Sequence, residues 1–151
     1  MAIGIDELFE MLNWNSDEQT QKKGIEEGMK VRCFSVFLQP IEDKGVWEIC
    51  AKIIAKKSDN QLEPYLSFLL EWLQDENWPG FDIIYNRLVK VPVQFIRSSY
   101  SYIIKKAQGL KDEMWLIYLS RLAIDSDLCK YLTFEQKEII KKYSSLDVGR
   151  Y

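Results

Sequence analysis

The stretch Leu69-Leu70-Glu71-Trp72-Leu73-Gln74-Asp75-Glu76-Asn77-Trp78-Pro79-Gly80 decides how the rest of the chain is read. An apolar face at helical spacing, Leu62, Leu66, Leu69, Leu70 and Leu73, runs into it. Tyr65, Phe68 and Trp72 form a second stripe beside the first, and so wide an apolar face predicts a helix covered on two sides, at the centre of the domain. Pro64 fits that helix only within its first turn. Residues 74–77 break the pattern. Pro79 has the fixed φ that suits the first position of a helix, which predicts a new helix starting there. The stretch therefore reads as the joint of a helical hairpin, with Trp72, Trp78, Pro79 and Gly80 as a structural hub.

Outward from this joint the chain keeps a helical period. Ile5, Leu8, Phe9 and Leu12 mark a short opening helix, and Ser16 with Gln19 offers a capping box for a helix over 17–32. Gly24 and Gly28 share a face of that helix. Each costs about 1 kcal/mol of propensity relative to Ala, which points to close helix packing. Pro40 stops a short apolar run at 34–38. Val46, Trp47, Cys50, Ile53 and Ile54 mark a helix ending near Lys56-Lys57, and Ser58-Asp59-Asn60 is turn chemistry. Beyond the hub, Phe81, Ile84, Tyr85 and Leu88 carry a helix to Val91-Pro92. Val93, Ile96, Tyr100, Ile103 and Ala107 carry a longer one, stopped by Gly109. Asp112 caps the next, with Trp115, Leu119 and Leu122 inward, and Thr133 with Gln136 forms a capping box for the last. No stretch shows sustained strand-like alternation. The expectation is an all-α chain, one domain over 1–151, with 146–151 as a frayed tail.

Trp14, Trp47, Trp78 and Trp115 stand at or just before predicted helix starts. They recur every thirty to forty residues or so, as in helical solenoids with two helices per unit. The alternative is a helical bundle in which aromatic residues fall into rough register. The segment from Leu62 through Trp78-Pro79-Gly80 to Leu88 resembles a HEAT-type unit. The run Leu-Glu-Trp-Leu-Gln-Asp-x-Asn-Trp-Pro-Gly at 70–80 resembles the signature of an uncharacterised bacterial family of small all-helical proteins. Leu12-Asn13-Trp14-Asn15-Ser16, Val46-Trp47-Glu48 and Asp112-Glu113-Met114-Trp115-Leu116 fit the same family. The resemblance covers roughly 10–125. It implies stacked antiparallel helical hairpins in a HEAT- or armadillo-like right-handed α-α superhelix, and it carries no catalytic residues to transfer.

Composition narrows the function. The 151 residues are 47% hydrophobic and 28% charged with a net charge of −3, enough apolar content for one globular domain and a poor match to a phosphate-neutralising surface. The chain has no histidine. That removes Ser-His-Asp and Cys-His nucleophile chemistry and most zinc sites. Cys33, Cys50 and Cys129 form no Cys-x-x-Cys pair and read as free thiols in a reducing cytoplasm. The first residues lack the basic and apolar regions of a signal peptide and no apolar run reaches membrane length, so neither a leader nor a membrane span is expected. No metal site and no cofactor is expected.

The helix over 93–107 carries the candidate working surface. Gln94, Arg97, Ser101 and Lys105 lie opposite its core stripe, flanked by Phe95, Ser99, Tyr102 and Lys106. Tyrosine and serine among basic residues resemble a protein-recognition surface. The candidate partner-binding residues are therefore Arg97, Ser99, Ser101, Tyr102, Lys105 and Lys106, against the plainer reading of a solvated face. Asp75-Glu76, Asp112-Glu113 and Asp125-Asp127 are explained by helix capping. Lys52-Lys56-Lys57 and Lys137-Lys141-Lys142 read as solvated basic faces.

The leading function is a non-catalytic protein–protein interaction module of a bacterial cytoplasmic protein, in one version antitoxin- or immunity-like, with an acidic balance suited to a basic partner. One alternative is a HEAT-like nucleic-acid binder or base-excision glycosylase, which needs a basic groove at Trp78 or Trp115. The other is a structural protein that assembles with itself.

Overall fold

The computed structural model describes residues 4–32, 34–40 and 44–147, and among these it is helical with no strand. Helix α1 (Ile5–Leu12) buries Leu8 and Leu12. Asp17, rather than Ser16, caps α2 (Glu18–Gly28), its Oδ1 accepting from the Thr20 N–H at 2.7 Å. Ser16 is drawn the other way and donates its hydroxyl to the Glu10 carbonyl at 2.7 Å, which closes the end of α1. Gly24 and Gly28 are both buried. A Cβ at Gly24 would lie 2.8 Å from Leu12 Cδ2, and one at Gly28 would lie 2.5 Å from Ile53 Cδ1. The missing side chains let α2 sit between α1 and α3 (Trp47–Ala55).

The helix expected over 62–73 is interrupted. It consists of α4 (Asp59–Leu62), a 3-10 turn at Glu63–Tyr65, α5 (Leu66–Glu71) and a second 3-10 turn at Trp72–Gln74. Pro64 has no N–H and its ring crowds the preceding turn, so the backbone tightens there instead of continuing as α-helix. Ser58 and Gln61 make a full capping box at the start of α4, a stronger signal than the turn expected there. Leu66, Leu69, Leu70, Trp72 and Leu73 are buried, but Phe68 in the second stripe is exposed.

Four helices complete the chain: α6 (Phe81–Val89), α7 (Val93–Gly109), α8 (Glu113–Asp125) and α9 (Phe134–Ser144). The caps expected at Asp112 and at Thr133 with Gln136 are present. Helix α3 packs on α6, α5 on α7, and α8 on α6, α7 and α9. Helix α8 is enclosed on all sides along its middle, with every residue from Trp115 to Ser120 buried. Its polar member, Ser120, donates to the Leu116 carbonyl at 2.7 Å. The buried Tyr100 hydroxyl on α7 donates to the Leu119 carbonyl, also at 2.7 Å. Each large apolar side chain buried here contributes about 1.5–3 kcal/mol.

Past α9 the chain turns back onto α8. Asp147 is 5% exposed and its carboxylate accepts from Arg121 Nε at 2.8 Å and Nη2 at 2.7 Å. This clamp holds the first part of the tail expected to fray, and residues 148–151 of that tail lie outside the described residues. No described helix is long and apolar enough to cross a membrane.

Candidate functional sites at the tryptophan hub and along α7

The hub is an aromatic joint between α3 and the turn before α6. Trp47 stands edge-to-face against Trp72, with ring centroids 5.9 Å apart, and against Trp78, 5.5 Å apart at an interplanar angle of 89°. Trp47 Nε1 donates to the Pro40 carbonyl at 2.7 Å, and Trp72 Nε1 to the Pro79 carbonyl at 3.0 Å. The indoles thus do two jobs: they fill the joint and they satisfy carbonyls that the turns leave without helical partners.

Pro79 does not open α6. Gly80 follows at φ 86° and serves as the N-cap, so the helix starts at Phe81 and Pro79 is a turn residue. An added Cβ at Gly80 would lie 2.8 Å from Ala51 Cβ, 3.1 Å from the Trp47 carbonyl oxygen and 3.2 Å from Trp72 Cζ2. Glycine is needed there for both conformation and space. Beside it a notch of about 90 Å³ is lined by Glu48, Glu76, Asp82 and Trp78, among others. The Lys44 ammonium lies over both Trp47 and Trp78, 5.4 and 5.8 Å from their ring centroids.

The four tryptophans of the thirty-to-forty-residue pattern occupy unlike environments. Trp14 is exposed, and Trp47 and Trp78 pack against each other. Trp115 is 0% exposed, with Nε1 donating to the Leu70 carbonyl at 3.0 Å. Trp115 therefore has no free face for a ligand, and the walls at Trp78 include three carboxylates.

Helix α7 spreads its candidate residues around more than half its circumference. Lys106 Nζ reaches Glu71 Oε1 on α5 at 2.6 Å, and that hydrogen bond is the main reason its pKa is raised. On another side Ser101 Oγ accepts from Gln136 Nε2 on α9 at 3.0 Å. Ser99 is half-buried, Arg97 and Lys105 are exposed, and Tyr102 is 61% exposed. The six residues do not form one patch: Lys106 borders α5, Ser101 borders α9, and Arg97, Tyr102 and Lys105 lie on the open face.

The sequence reading missed the exposed aromatic residues at the start of α9, the helix that carries Gln136. Phe134, the first residue of α9, is 76% exposed, and Tyr131, in the 3-10 turn Asp127–Tyr131 that packs on α7, is 51% exposed. The available signal was position: Phe134 directly follows the Thr133 cap and falls off the stripe that buries Ile140. A pocket of about 350 Å³ between α1 and the chain ahead of α3, lined by Ile5, Asp6, Phe9, Glu10, Pro40 and Val46, was also unforeseen.

Burial pushes the Cys50 thiol up to about 12, the opposite of what a nucleophile or metal ligand needs. Burial also raises the Tyr100 hydroxyl. No group of histidine, cysteine and carboxylate side chains able to hold a metal ion occurs among the described residues. Lys57, expected on a solvated face, is buried, with Nζ donating to the Met29 carbonyl at 3.1 Å. Arg87 covers the same corner through the Lys57 carbonyl at 2.9 Å and Asp59 at 2.7 Å.

Searches of curated proteins and of solved structures returned no match to the chain. A family model does match, over residues 42–145, from just before α3 to the end of α9, leaving α1 and α2 ahead of the matched span. The chain therefore belongs to the family described as Domain of unknown function (DUF5071).

Proposed function

We propose that this chain is a non-catalytic protein-binding module, and that its partner docks on the side of α7 facing the start of α9. The observation that carries this reading is the pair of exposed aromatic side chains, Tyr131 and Phe134, on either side of the Thr133 cap of α9, the helix whose Gln136 bonds to Ser101 on α7. Exposed aromatic rings are common anchors of binding hot spots. Arg97 and Tyr102 are exposed on the open face of α7, apart from this group.

We further read the helices as a HEAT-like stack of antiparallel hairpins making up one domain. Packing of sequence neighbours, α1 with α2, α7 with α8 and α8 with α9, supports this. Free thiols at Cys50 and Cys129 support placement in a reducing bacterial cytoplasm, where an antitoxin- or immunity-like role against a basic partner suits the net charge of −3.

The test is affinity capture from host lysate with the wild-type chain and with a Tyr131→Glu/Phe134→Glu variant of unchanged melting temperature. The wild type should hold a stoichiometric protein that the variant loses, since hot-spot truncations weaken binding about thirtyfold or more. Equal capture by both forms, or capture of nucleic acid alone, would refute the proposal.

A further inference from the structure

We infer that the right-angled corner between Trp47 and Trp78 is a binding site for an alkylammonium group, filled in the free chain by its own Lys44. The two indole planes stand at 89° with centroids 5.5 Å apart, so their faces make two walls of a box. The Lys44 ammonium lies over both faces at 5.4 and 5.8 Å, within the range at which the ring quadrupoles attract a cation.

The walls do not depend on Lys44. Trp47 is anchored by its bond to the Pro40 carbonyl and by Trp72, which is itself bonded to the Pro79 carbonyl. The backbone N–H of Trp78 is fixed on the Asp75 carbonyl at 3.1 Å. Lys44, by contrast, is exposed and opens a three-residue 3-10 turn, Lys44–Val46, ahead of α3. Its side chain can leave without unwinding a helix.

The surroundings favour a positive charge. Glu48 directly follows Trp47, and together with Glu76 and Asp82 it lines the notch that has Trp78 as a wall. Three exposed carboxylates add a negative potential to the ring faces. Paired indole faces are the usual means of holding quaternary and methylated ammonium groups, and cation contacts at exposed sites are weak enough for a tethered lysine to be displaced. The same chemistry could arrive as a free quaternary ammonium compound or as a lysine side chain. The site is separate from the Tyr131 and Phe134 surface and does not rest on it.

The test titrates the full chain and a Lys44→Ala variant with tetramethylammonium chloride and, separately, with N-acetyl-lysine methylamide. Sodium chloride at matched ionic strength is the blank. Binding is read from the Trp47 indole N–H resonance and from upfield ring-current shifts of the probe protons. Lys44→Ala should bind at least one probe saturably and about five- to thirtyfold more tightly than the wild type, the factor expected when an ammonium held by two aromatic faces is removed. In the Lys44→Ala background, Trp78→Phe should weaken binding and Trp78→Leu should abolish it, with melting temperature checked for both. Binding of tetramethylammonium alone assigns a free quaternary ammonium ligand, and binding of the lysine amide alone assigns a lysine side chain. Saturable binding of neither probe to Lys44→Ala, equal affinity in Lys44→Ala and wild type, or binding that survives in folded Trp78→Leu, would overturn the inference.

Discussion

Replacing Gly80 by alanine tests the hub directly. At φ 86° an L-residue costs about 1–2 kcal/mol relative to glycine. The new Cβ would also meet Ala51 Cβ at 2.8 Å, the Trp47 carbonyl oxygen at 3.1 Å and Trp72 Cζ2 at 3.2 Å. Two of these atoms belong to the body of α3 and the third to a fully buried indole, so relief requires α3 to move away from the turn. Overpacking of that kind costs about 1–3 kcal/mol. The sum is about 2–5 kcal/mol, or a melting temperature lower by roughly 5–20 °C in a chain of this size.

Gly109→Ala is the internal control. An added Cβ there meets nothing within 4 Å, and α7 ends at that residue, so stability should hold or rise by up to about 1 kcal/mol. Urea unfolding followed by circular dichroism measures both, with the slope m showing whether the folded state stays compact. A Gly80→Ala midpoint within about 0.5 kcal/mol of wild type at unchanged m would refute the reasoning.

Asp147→Ala leaves the Arg121 guanidinium with Glu76 at 4.0 Å as its remaining ion-pair contact, and should cost about 1.5–3 kcal/mol of unfolding free energy in urea. Lys106→Ala should leave the melting temperature unchanged within error despite the short contact to Glu71, because both side chains are partly solvated. Alkaline pH should destabilise the fold. Cys50 keeps its proton up to about pH 12 when folded but releases it near 9.0 when unfolded, so the unfolded chain binds fewer protons in that window and stability falls as pH rises through it. For that one proton the slope approaches about 1.4 kcal/mol per pH unit, and Cys50→Ala should flatten the pH–stability curve above pH 9.0 by that share.

Features decided by neighbouring residues were legible from the chain alone. The helices, the Asp112 and Thr133 caps and the packing role of Gly24 and Gly28 follow from patterns within one or two turns. Trp72 and Trp78 both pack on Trp47, and Gly80 rather than Pro79 sets the start of α6. The Pro-Gly pair is also the signature of a turn whose second residue needs positive φ, and the bond from Trp72 to the Pro79 carbonyl selects that geometry. Asp17 displaced Ser16 as a cap because the Glu10 carbonyl competed for the serine hydroxyl. What stayed hidden depends on partners far along the chain. Lys57 is buried only because α2 brings the Met29 carbonyl to it. Ser101 and Lys106 both fall off the core stripe of α7, and only the folded chain shows that one meets α9 and the other α5.

The indole N–H bonds give the molecule three built-in clocks for hydrogen exchange. Trp47 to Pro40 and Trp72 to Pro79 each join residues 7 apart in sequence, whereas Trp115 to Leu70 joins residues 45 apart. The first two protons exchange when a single turn or loop lifts from its helix. The third is released only when α8 separates from α5, the opening nearest to global unfolding. Ranked by exchange rate, Trp115 should be slowest, and the gap between it and the two hub protons measures how far the joint can loosen while the core around α8 stays closed.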